Sequence, residues 1–492
     1  MNKQKSYRQI FKATSIFGGV QFINIIVQVV RSKFIALLLG PTGMGIMGLL
    51  TSALSLITSI TSFGLGTSAV KDVATAHASD DREKISFIAS VLIRLVWFTG
   101  IFGAVLTFAM SPWLSRVSFG NDEYTYAFMW LSFSLLFTQL SSVNLVLMQG
   151  MRQLKLLAKA NLYGSIVGLL TAIPLYYMLG LKGIVPAIIL SSIFVFLFSW
   201  LLGRKLGVVS KKVTFKQVSE EGKDMVRMGF LISLSGLLAI GASFIVRIFI
   251  GNLGSVEEVG LYSAGFAIIT TYVGLVFNAM ATDYYPRLAS VADNNQEIRQ
   301  TVNQQAEIAI LILSPILVAF LVYINWIIIL LYSTKFVAVN TMIYWAALGM
   351  IFKAASWSIA FIFLAKGESK LFFINELIVN VYMLVLNILG YFYLGLTGLG
   401  ISFVFSYFMY LLQVYMICNK RFEFSFTKGF FKIFFNQLVL AILTLLLVLT
   451  TVSTIKYLFG SVLFLVSTIY SLVQLEKRIG FVSLFSNKFI KQ

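Results

Sequence analysis

Hydrophobic segments of about 20 residues recur along the whole of this 492-residue chain. A helix of that length is what crosses the roughly 30 Å hydrocarbon core of a bilayer. Hydrophobic residues make up 59% of the chain and charged residues only 12%, which excludes a water-soluble domain of this size. We therefore expect an all-α, polytopic membrane protein.

About fourteen segments are predicted to be transmembrane helices. The last two lie close together in sequence, so the pattern leaves open whether they span fully. The basic stretch 1–12 runs straight into the first span without a cleavage-site pattern, which predicts a retained helix and not a signal peptide. The predicted spans are 13–39, 44–69, 85–110, 124–148, 159–180, 183–203, 228–251, 259–282, 306–332, 341–364, 371–393, 397–418, 436–454 and 457–475.

The distribution of Lys and Arg predicts the orientation, because positively charged loops stay in the cytoplasm. With the N-terminus inside, 29 of the 38 basic residues fall in cytoplasmic segments. Outside loops carry only Arg116, Lys182, Lys335 and Lys456. Both termini are therefore predicted to be cytoplasmic, and this asymmetry accounts for the net charge of +19 without nucleic-acid binding.

A basic linker after the sixth span divides the core into six plus six helices. Residues 33–40 and 45–47 resemble residues 247–254 and 260–262, which indicates two parallel repeats. We predict two pseudo-symmetric six-helix lobes around a central cleft, followed by a helix pair. The predicted boundaries are 1–204 for the N-terminal lobe, 205–227 for the linker, 228–418 for the C-terminal lobe and 419–492 for the helix pair with its basic tail.

Five basic residues lie inside the predicted spans, whereas the carboxylates fall in loops or at span ends. A charge at bilayer depth costs about 2.5–3.5 kcal/mol, so it usually faces a bundle interior or a wet cavity. Charges of one sign predict a cationic cavity that suits an anionic ligand such as a pyrophosphate. The five predicted substrate-binding residues are Arg31, Lys33, Arg94, Arg247 and Lys353.

Gln21, Asn24, Gln28 and Arg31 share one face of the first span, because they are spaced by three or four residues. A wet cavity would explain this polar stripe, and hydrogen bonds between helices would be the alternative. Lys33 lies off the stripe, where binding in the pocket and snorkelling to the outer interface are equally compatible with its position.

Each of the other three cations also has a structural alternative. Arg94, Arg247 and Lys353 would then form hydrogen bonds to helix-end carbonyls instead of binding a ligand. Three polar residues are candidates for coupling or gating, namely Asn278, Asp283 and Glu376. For Asp283 the alternative is an ion pair with Arg287, one helical turn away.

The sequence contains no grouping that predicts an enzyme. It has one cysteine and one histidine, which excludes a disulfide framework and an ordinary Cys/His metal site. There is no nucleophile with a base, no paired carboxylates in a pocket and no nucleotide-binding loop. We expect no cofactor, no metal and no ATP-driven transport by this chain alone.

Several segments resemble the polysaccharide-flippase branch of the multidrug/oligosaccharidyl-lipid/polysaccharide exporter superfamily, in particular the O-antigen and lipid III type. The resemblance covers roughly residues 10–420. Lys353 falls on a lysine of the lipid III flippase pattern. The segments that carry the resemblance are LLLGPTGMGIMG (37–48), FGND (119–122), LVLMQGMRQLKLLAKANLYGSIVG (145–168), YYPRLASVADNNQEIRQTV (284–302) and LYSTKFVAVNTMIYWAALGMIFKAASWSIAFIFLAKGESKLFF (331–373).

The resemblance implies that the two lobes form a V around a central cationic cavity in the bacterial inner membrane. It also implies movement of an undecaprenyl-pyrophosphate-linked oligosaccharide from the cytoplasmic to the periplasmic leaflet by alternating access. The expected partners are this lipid-linked glycan, membrane lipids and glycan-assembly proteins such as a polymerase.

Three other functions remain open. Fourteen spans, where this branch commonly has twelve, are also found in the peptidoglycan lipid II flippase. A cation-coupled drug exporter of the same superfamily usually has a carboxylate at mid-membrane depth, which this sequence lacks. A scaffold in a glycan-assembly complex would gain nothing to offset the cost of charges within the membrane.

Overall fold

The computed structural model describes residues 26–208, 213–450 and 453–479. These residues are almost entirely helical and form no strands, so the predicted all-α fold is confirmed. Gln21 and Asn24 of the predicted polar stripe lie outside the described residues. The chain divides into two compact units, one up to Gly260 with Leu331–Ser333 and the other comprising Leu261–Leu330 and the chain from Thr334 onward.

We number the helices in chain order. Ile268–Val273 is a π-helical stretch between α10 and α11, and short 3₁₀ turns occupy Gly180–Gly183, Arg204–Leu206 and Thr334–Val339. The helices are α1 (26–38), α2 (Gly40–Thr61), α3 (Leu65–Ala78), α4 (Arg82–Ala109), α5 (Ser111–Phe119), α6 (Thr125–Gly150), α7 (Leu154–Leu179), α8 (Ile184–Gly203), α9 (Phe215–Leu253), α10 (Val256–Ala267), α11 (Leu275–Ala289), α12 (Asn295–Leu331), α13 (Asn340–Ala365), α14 (Ser369–Phe422), α15 (Lys428–Thr450) and α16 (Ser453–Ile479).

Eleven helical stretches of the described chain are long and apolar enough to cross a membrane. Two of them, Leu154–Leu206 and Ser369–Phe422, contain 53 and 54 residues. At 1.5 Å per residue each would extend to about 80 Å, more than twice the hydrocarbon thickness. Each of these stretches therefore contains more than one membrane crossing, while the total of fourteen spans stays a prediction.

The stretch α14 is a helical hairpin with two antiparallel arms. At Gly395 the backbone leaves helical geometry, with φ 56° and ψ −142°. Residues that contact each other across the hairpin lie at nearly equal distances from this turn along the chain. Near the turn the backbones of Gly390 and Gly398 are in contact, and further from it Gln413 donates to Asn375. Glycine is required at 390 and 398 because a Cβ on either residue would meet the backbone of the other arm. The hairpin turn lies between the predicted spans 371–393 and 397–418.

The helices α7 and α8 form a similar hairpin in the first unit. It turns at Gly180, whose φ of 55° lies in the region that favours glycine. Gly164 faces Val195 and Gly168 faces Ser191, so the two helices approach closely over several turns. These small residues allow the close helix contact that is typical of membrane bundles.

The predicted linker 205–227 becomes helical at Phe215 and continues without a break into the next predicted span. This helix, α9, packs on α2 and α3 in the first unit, where Gly229 touches the backbone of Gly64. The boundary between the two compact units lies after Gly260. The six-plus-six division by internal repeat and its boundaries stay a prediction.

Buried polar bonds fix the last two helices within the second unit. The amide of Gln437, which is fully buried in α15, donates to Ser471 Oγ at 2.8 Å and accepts from Ser467 Oγ at 2.8 Å. At the end of α16, Arg478 Nε lies 2.7 Å from Glu307 Oε2 on α12. The helix pair is therefore an integrated part of this unit.

We predict that Gly398→Ala destabilises the protein, because the new Cβ would lie 1.8 Å from the carbonyl oxygen of Gly390 and force the arms apart. Overpacking of this kind costs about 1–3 kcal/mol. Gly236→Ala in α9 is the matched control, since nothing lies within 4 Å of its Cβ position. Thermal unfolding of the purified variants measures the effect, and equal melting temperatures would contradict this account of the hairpin.

Candidate functional site

Lys353 lies in the second unit, surrounded by aromatic rings. Its ammonium nitrogen is 5.1 Å from the ring centroid of Tyr407, 5.8 Å from that of Phe277 and 6.0 Å from that of Phe403. Each ring stabilises the cation by about 0.5–2 kcal/mol without neutralising its charge. Lys353 makes no ion pair with any residue that the structure describes. Its positive charge therefore stays available to an anion.

A cavity of about 80 Å³ adjoins this aromatic cage. Phe403 and Tyr407 belong to both the cage and the cavity wall. Ser406 also lines this cavity, and its buried Oγ has no hydrogen-bond partner among the described residues. The full lining is Tyr262, Phe266, Ile269, Met342, Ala346, Met383, Asn387, Leu399, Phe403, Ser406 and Tyr407. An apolar, aromatic wall with a few polar groups is typical of ligand pockets.

The sequence did not reveal the residues that surround Lys353. Phe277 lies on α11, whereas Phe403 and Tyr407 lie one turn apart on the second arm of α14. The spacing of Phe403 and Tyr407 would have shown a common helix face, but only the fold brings that face to Lys353.

Glu376 lies in the first arm of α14 and is partly buried between the two arms. The Tyr410 hydroxyl donates to its Oε1 at 3.1 Å, and the neighbouring Asn375 accepts from Gln413 Nε2 at 2.7 Å. Among the described residues, Asn375 Nδ2 and the Tyr382 hydroxyl are buried without a partner. The carboxylate thus has a polar, enclosed setting, and its role in coupling stays a prediction.

Asn278 and Asp283 are both exposed on α11. Asp283 Oδ2 lies 3.9 Å from Arg287 Nε, in agreement with the ion-pair alternative. Such an exposed pair contributes at most about 1 kcal/mol. The gating role of Asn278 and Asp283 stays a prediction.

Arg31 lies on α1 in the first unit, where its guanidinium is close to the hydroxyl of Tyr176. Its Nε is buried and has no hydrogen-bond partner among the described residues. Gln28, one turn earlier, is exposed, and Lys33 is partly buried. Arg31 therefore combines burial with an unused donor, which is compatible with ligand binding.

Arg94 and Arg247 both bond to backbone carbonyls. Arg94 Nη1 donates to the carbonyl of Val213, just before α9, and Arg247 Nη1 donates to Ser243 O at 3.1 Å. Arg247 also contacts the hydroxyl of Ser243. The structure thus gives both arginines a local structural contact, while their binding of substrate stays a prediction.

The segment FGND (119–122) forms a structural turn in the first unit. Gly120 ends α5 with φ 73°, and the ring of Phe119 stacks on Tyr124 at 3.8 Å. Asp122 accepts from Arg116 Nε at 2.7 Å, and this contact raises the pKa of the guanidinium. The segment therefore shapes a loop between α5 and α6.

Comparison with known proteins identifies the family. The family model described as "Polysaccharide biosynthesis protein" matches residues 34–341. The chain belongs to this family. It is 19% identical over 367 residues to the lipid III flippases of Escherichia coli (strain K12) and Shigella flexneri, which covers 74% of this chain and 87% of each relative.

Solved structures of membrane transporters share the fold. The lipid II flippase MurJ in an inward closed conformation has a TM-score of 0.68 at 14% identity, covering 94% of this chain and 98% of MurJ. An inward-facing multidrug resistance MATE family transporter of the MOP superfamily has a TM-score of 0.68 at 17% identity. The match covers 81% of this chain and 94% of that transporter. The predicted polysaccharide-biosynthesis family is confirmed by the family model, and these solved structures show that the chain shares their fold.

We predict that Arg94→Ala lowers the thermal stability of the protein, because it removes the bond that joins α4 to the start of α9. A hydrogen bond from a charged group contributes about 1.5–3 kcal/mol. Lys155→Ala is the comparison, since Lys155 is exposed on α7 and makes no hydrogen bond or ion pair with any residue that the structure describes. An unchanged melting temperature for Arg94→Ala would contradict this structural role of the bond to Val213.

Proposed function

We propose that this protein is a flippase for an undecaprenyl-pyrophosphate-linked oligosaccharide, such as an O-antigen repeat unit. It would move this lipid from the cytoplasmic to the periplasmic leaflet of the bacterial inner membrane by alternating access. The observation that carries the proposal is Lys353, a lysine held by three aromatic rings beside a cavity and unpaired among the described residues.

The charge of Lys353 suits a pyrophosphate. A buried carboxylate partner would already neutralise the lysine, whereas the faces of aromatic rings leave its charge uncompensated. A lysine ammonium is a compact, mobile point charge, so it can bind a phosphate without fixing it in one geometry. This property suits a transporter, because the ligand must also be released.

The family and the curated relatives support the lipid-linked substrate. The family is named for polysaccharide biosynthesis, and both relatives are lipid III flippases. Movement of an anion outward would be favoured by a negative-inside membrane potential, by about 2.3 kcal/mol per charge per 100 mV. The product would then be available to periplasmic glycan-assembly proteins such as a polymerase.

A lipid II flippase is the second candidate. The specific observation in its favour is that the fold of MurJ covers 94% of this chain, against 81% for the multidrug transporter. A drug exporter for cations is disfavoured, because the positive charge of Lys353 repels such a substrate.

We expect Lys353→Ala to reduce surface polymer at least about tenfold, because one charged hydrogen bond or ion pair is worth about 1.5–3 kcal/mol. Lys353→Arg should retain part of the activity, since the charge is kept. Lys366→Ala is the matched control, because Lys366 also lies over a ring, that of Phe422 at 5.9 Å, but follows the end of the same helix. Normal polymer in cells with Lys353→Ala at wild-type protein levels would refute this site.

Mass spectrometry of undecaprenyl-linked lipids in cells depleted of the protein tests the substrate. We expect a pyrophosphate-linked oligosaccharide without peptide to accumulate. Accumulation of a pentapeptide-bearing disaccharide would transfer the protein to cell-wall synthesis. If neither lipid accumulates, transport of a lipid-linked glycan is wrong.

A further inference from the structure

A second cavity lies within the first unit, and its lining is rich in hydroxyl groups. It has a volume of about 400 Å³ and is formed by residues of α2, α6, α8 and α9. Seven of its eleven lining residues are Ser or Thr, and none carries a charge. The hydroxyl residues are Thr51, Ser55, Thr58, Ser59, Ser134, Thr138 and Ser192. We call this cavity the hydroxyl cavity.

Five of these seven hydroxyls donate their only hydrogen to the backbone of their own helix. Each donates to a carbonyl of its own helix: Thr51 to Met47 at 2.6 Å, Ser55 to Thr51 at 2.7 Å, Ser134 to Leu131 at 2.7 Å, Thr138 to Ser134 at 2.8 Å and Ser192 to Ile189 at 2.7 Å. A hydroxyl has one donor and two acceptor lone pairs. These five groups therefore offer acceptor oxygens to whatever occupies the cavity.

A lining in which most hydroxyls offer only acceptor oxygens favours one kind of ligand. Phosphate oxygens are acceptors as well, so they find no donor on these five groups. A metal cation would find no carboxylate among the lining residues to neutralise its charge. A neutral ligand with many O–H and N–H donors fits, and sugars have this composition.

We propose that the hydroxyl cavity binds the glycan part of the lipid-linked substrate, with sugar hydroxyls and acetamido N–H groups donating to these oxygens. The inference rests on the proposed function, because it assumes that the substrate has a glycan. It assigns the glycan to neutral acceptors and leaves the pyrophosphate to cationic residues such as Lys353. Because each hydroxyl oxygen of the cavity forms only a weak hydrogen bond, the glycan would bind there and still be released.

Hydroxyls that bond back to their own helix also occur where helices merely pack, so the experiment needs a matched control. The test variant is Thr51→Val/Ser55→Ala/Thr138→Val, which removes three acceptors from the cavity. The control is Thr107→Val/Thr171→Val/Ser199→Ala, which removes three hydroxyls that donate in the same way to Gly103, Val167 and Phe196 but do not line the cavity.

Binding is measured by native mass spectrometry of the full chain with two lipids. One is undecaprenyl pyrophosphate, and the other is the glycan-bearing lipid isolated from cells depleted of the protein. We expect the test variant to lose about tenfold or more in affinity for the glycan-bearing lipid, since each hydrogen bond contributes about 0.5–1.5 kcal/mol. Its affinity for undecaprenyl pyrophosphate should stay within about twofold, and the control should bind both lipids as the wild type does.

Two results would overturn the inference while leaving the proposed function intact. The first is that the test variant binds the glycan-bearing lipid as tightly as the wild type. The second is that the test variant loses affinity for both lipids by the same factor. Failure of the wild type to bind either lipid would instead refute the proposed function, and the inference with it.

Discussion

A polar group inside a membrane must find its partner within the protein, because lipid offers none. This constraint explains most of the polar contacts described above. The hydroxyls of α2 and α6 bond to their own helices, Arg247 bonds to Ser243, and the amide of Gln437 is enclosed by serines of α16. Fourteen buried side-chain polar atoms of the described residues have no hydrogen-bond partner. Two of these atoms belong to Arg31 and Ser406, and Ser406 lines the cavity beside the Lys353 cage.

The two units differ in the chemistry they offer. The second unit holds an uncompensated lysine among aromatic rings, which favours a negative charge. The hydroxyl cavity of the first unit is neutral and accepts hydrogen bonds. A substrate that joins a pyrophosphate to sugars contains both kinds of partner. The division of chemistry between the units thus parallels the division of chemistry within the proposed substrate.

The sequence predicted the features that depend on local composition. Apolar length predicted the helices, and the spacing of Asp283 and Arg287 predicted their ion pair. Features that depend on distant contacts could not be predicted. Arg94 bonds to a carbonyl 119 positions further along the chain, and the hydroxyl cavity collects residues from separate helices. Such contacts arise from tertiary packing, which periodicity within one helix does not encode.

The pair between Arg478 and Glu307 has a practical consequence for protein engineering. Glu307 is only 13% exposed and also accepts from the hydroxyl of Thr427, so it depends on the end of the last described helix. Deleting α15 and α16 to obtain a shorter protein would remove this ion pair and uncover apolar side chains that contact the two helices, such as Val322 and Phe352. Fusion partners and truncation points should therefore be placed after Arg478, even where the aim is a twelve-helix core.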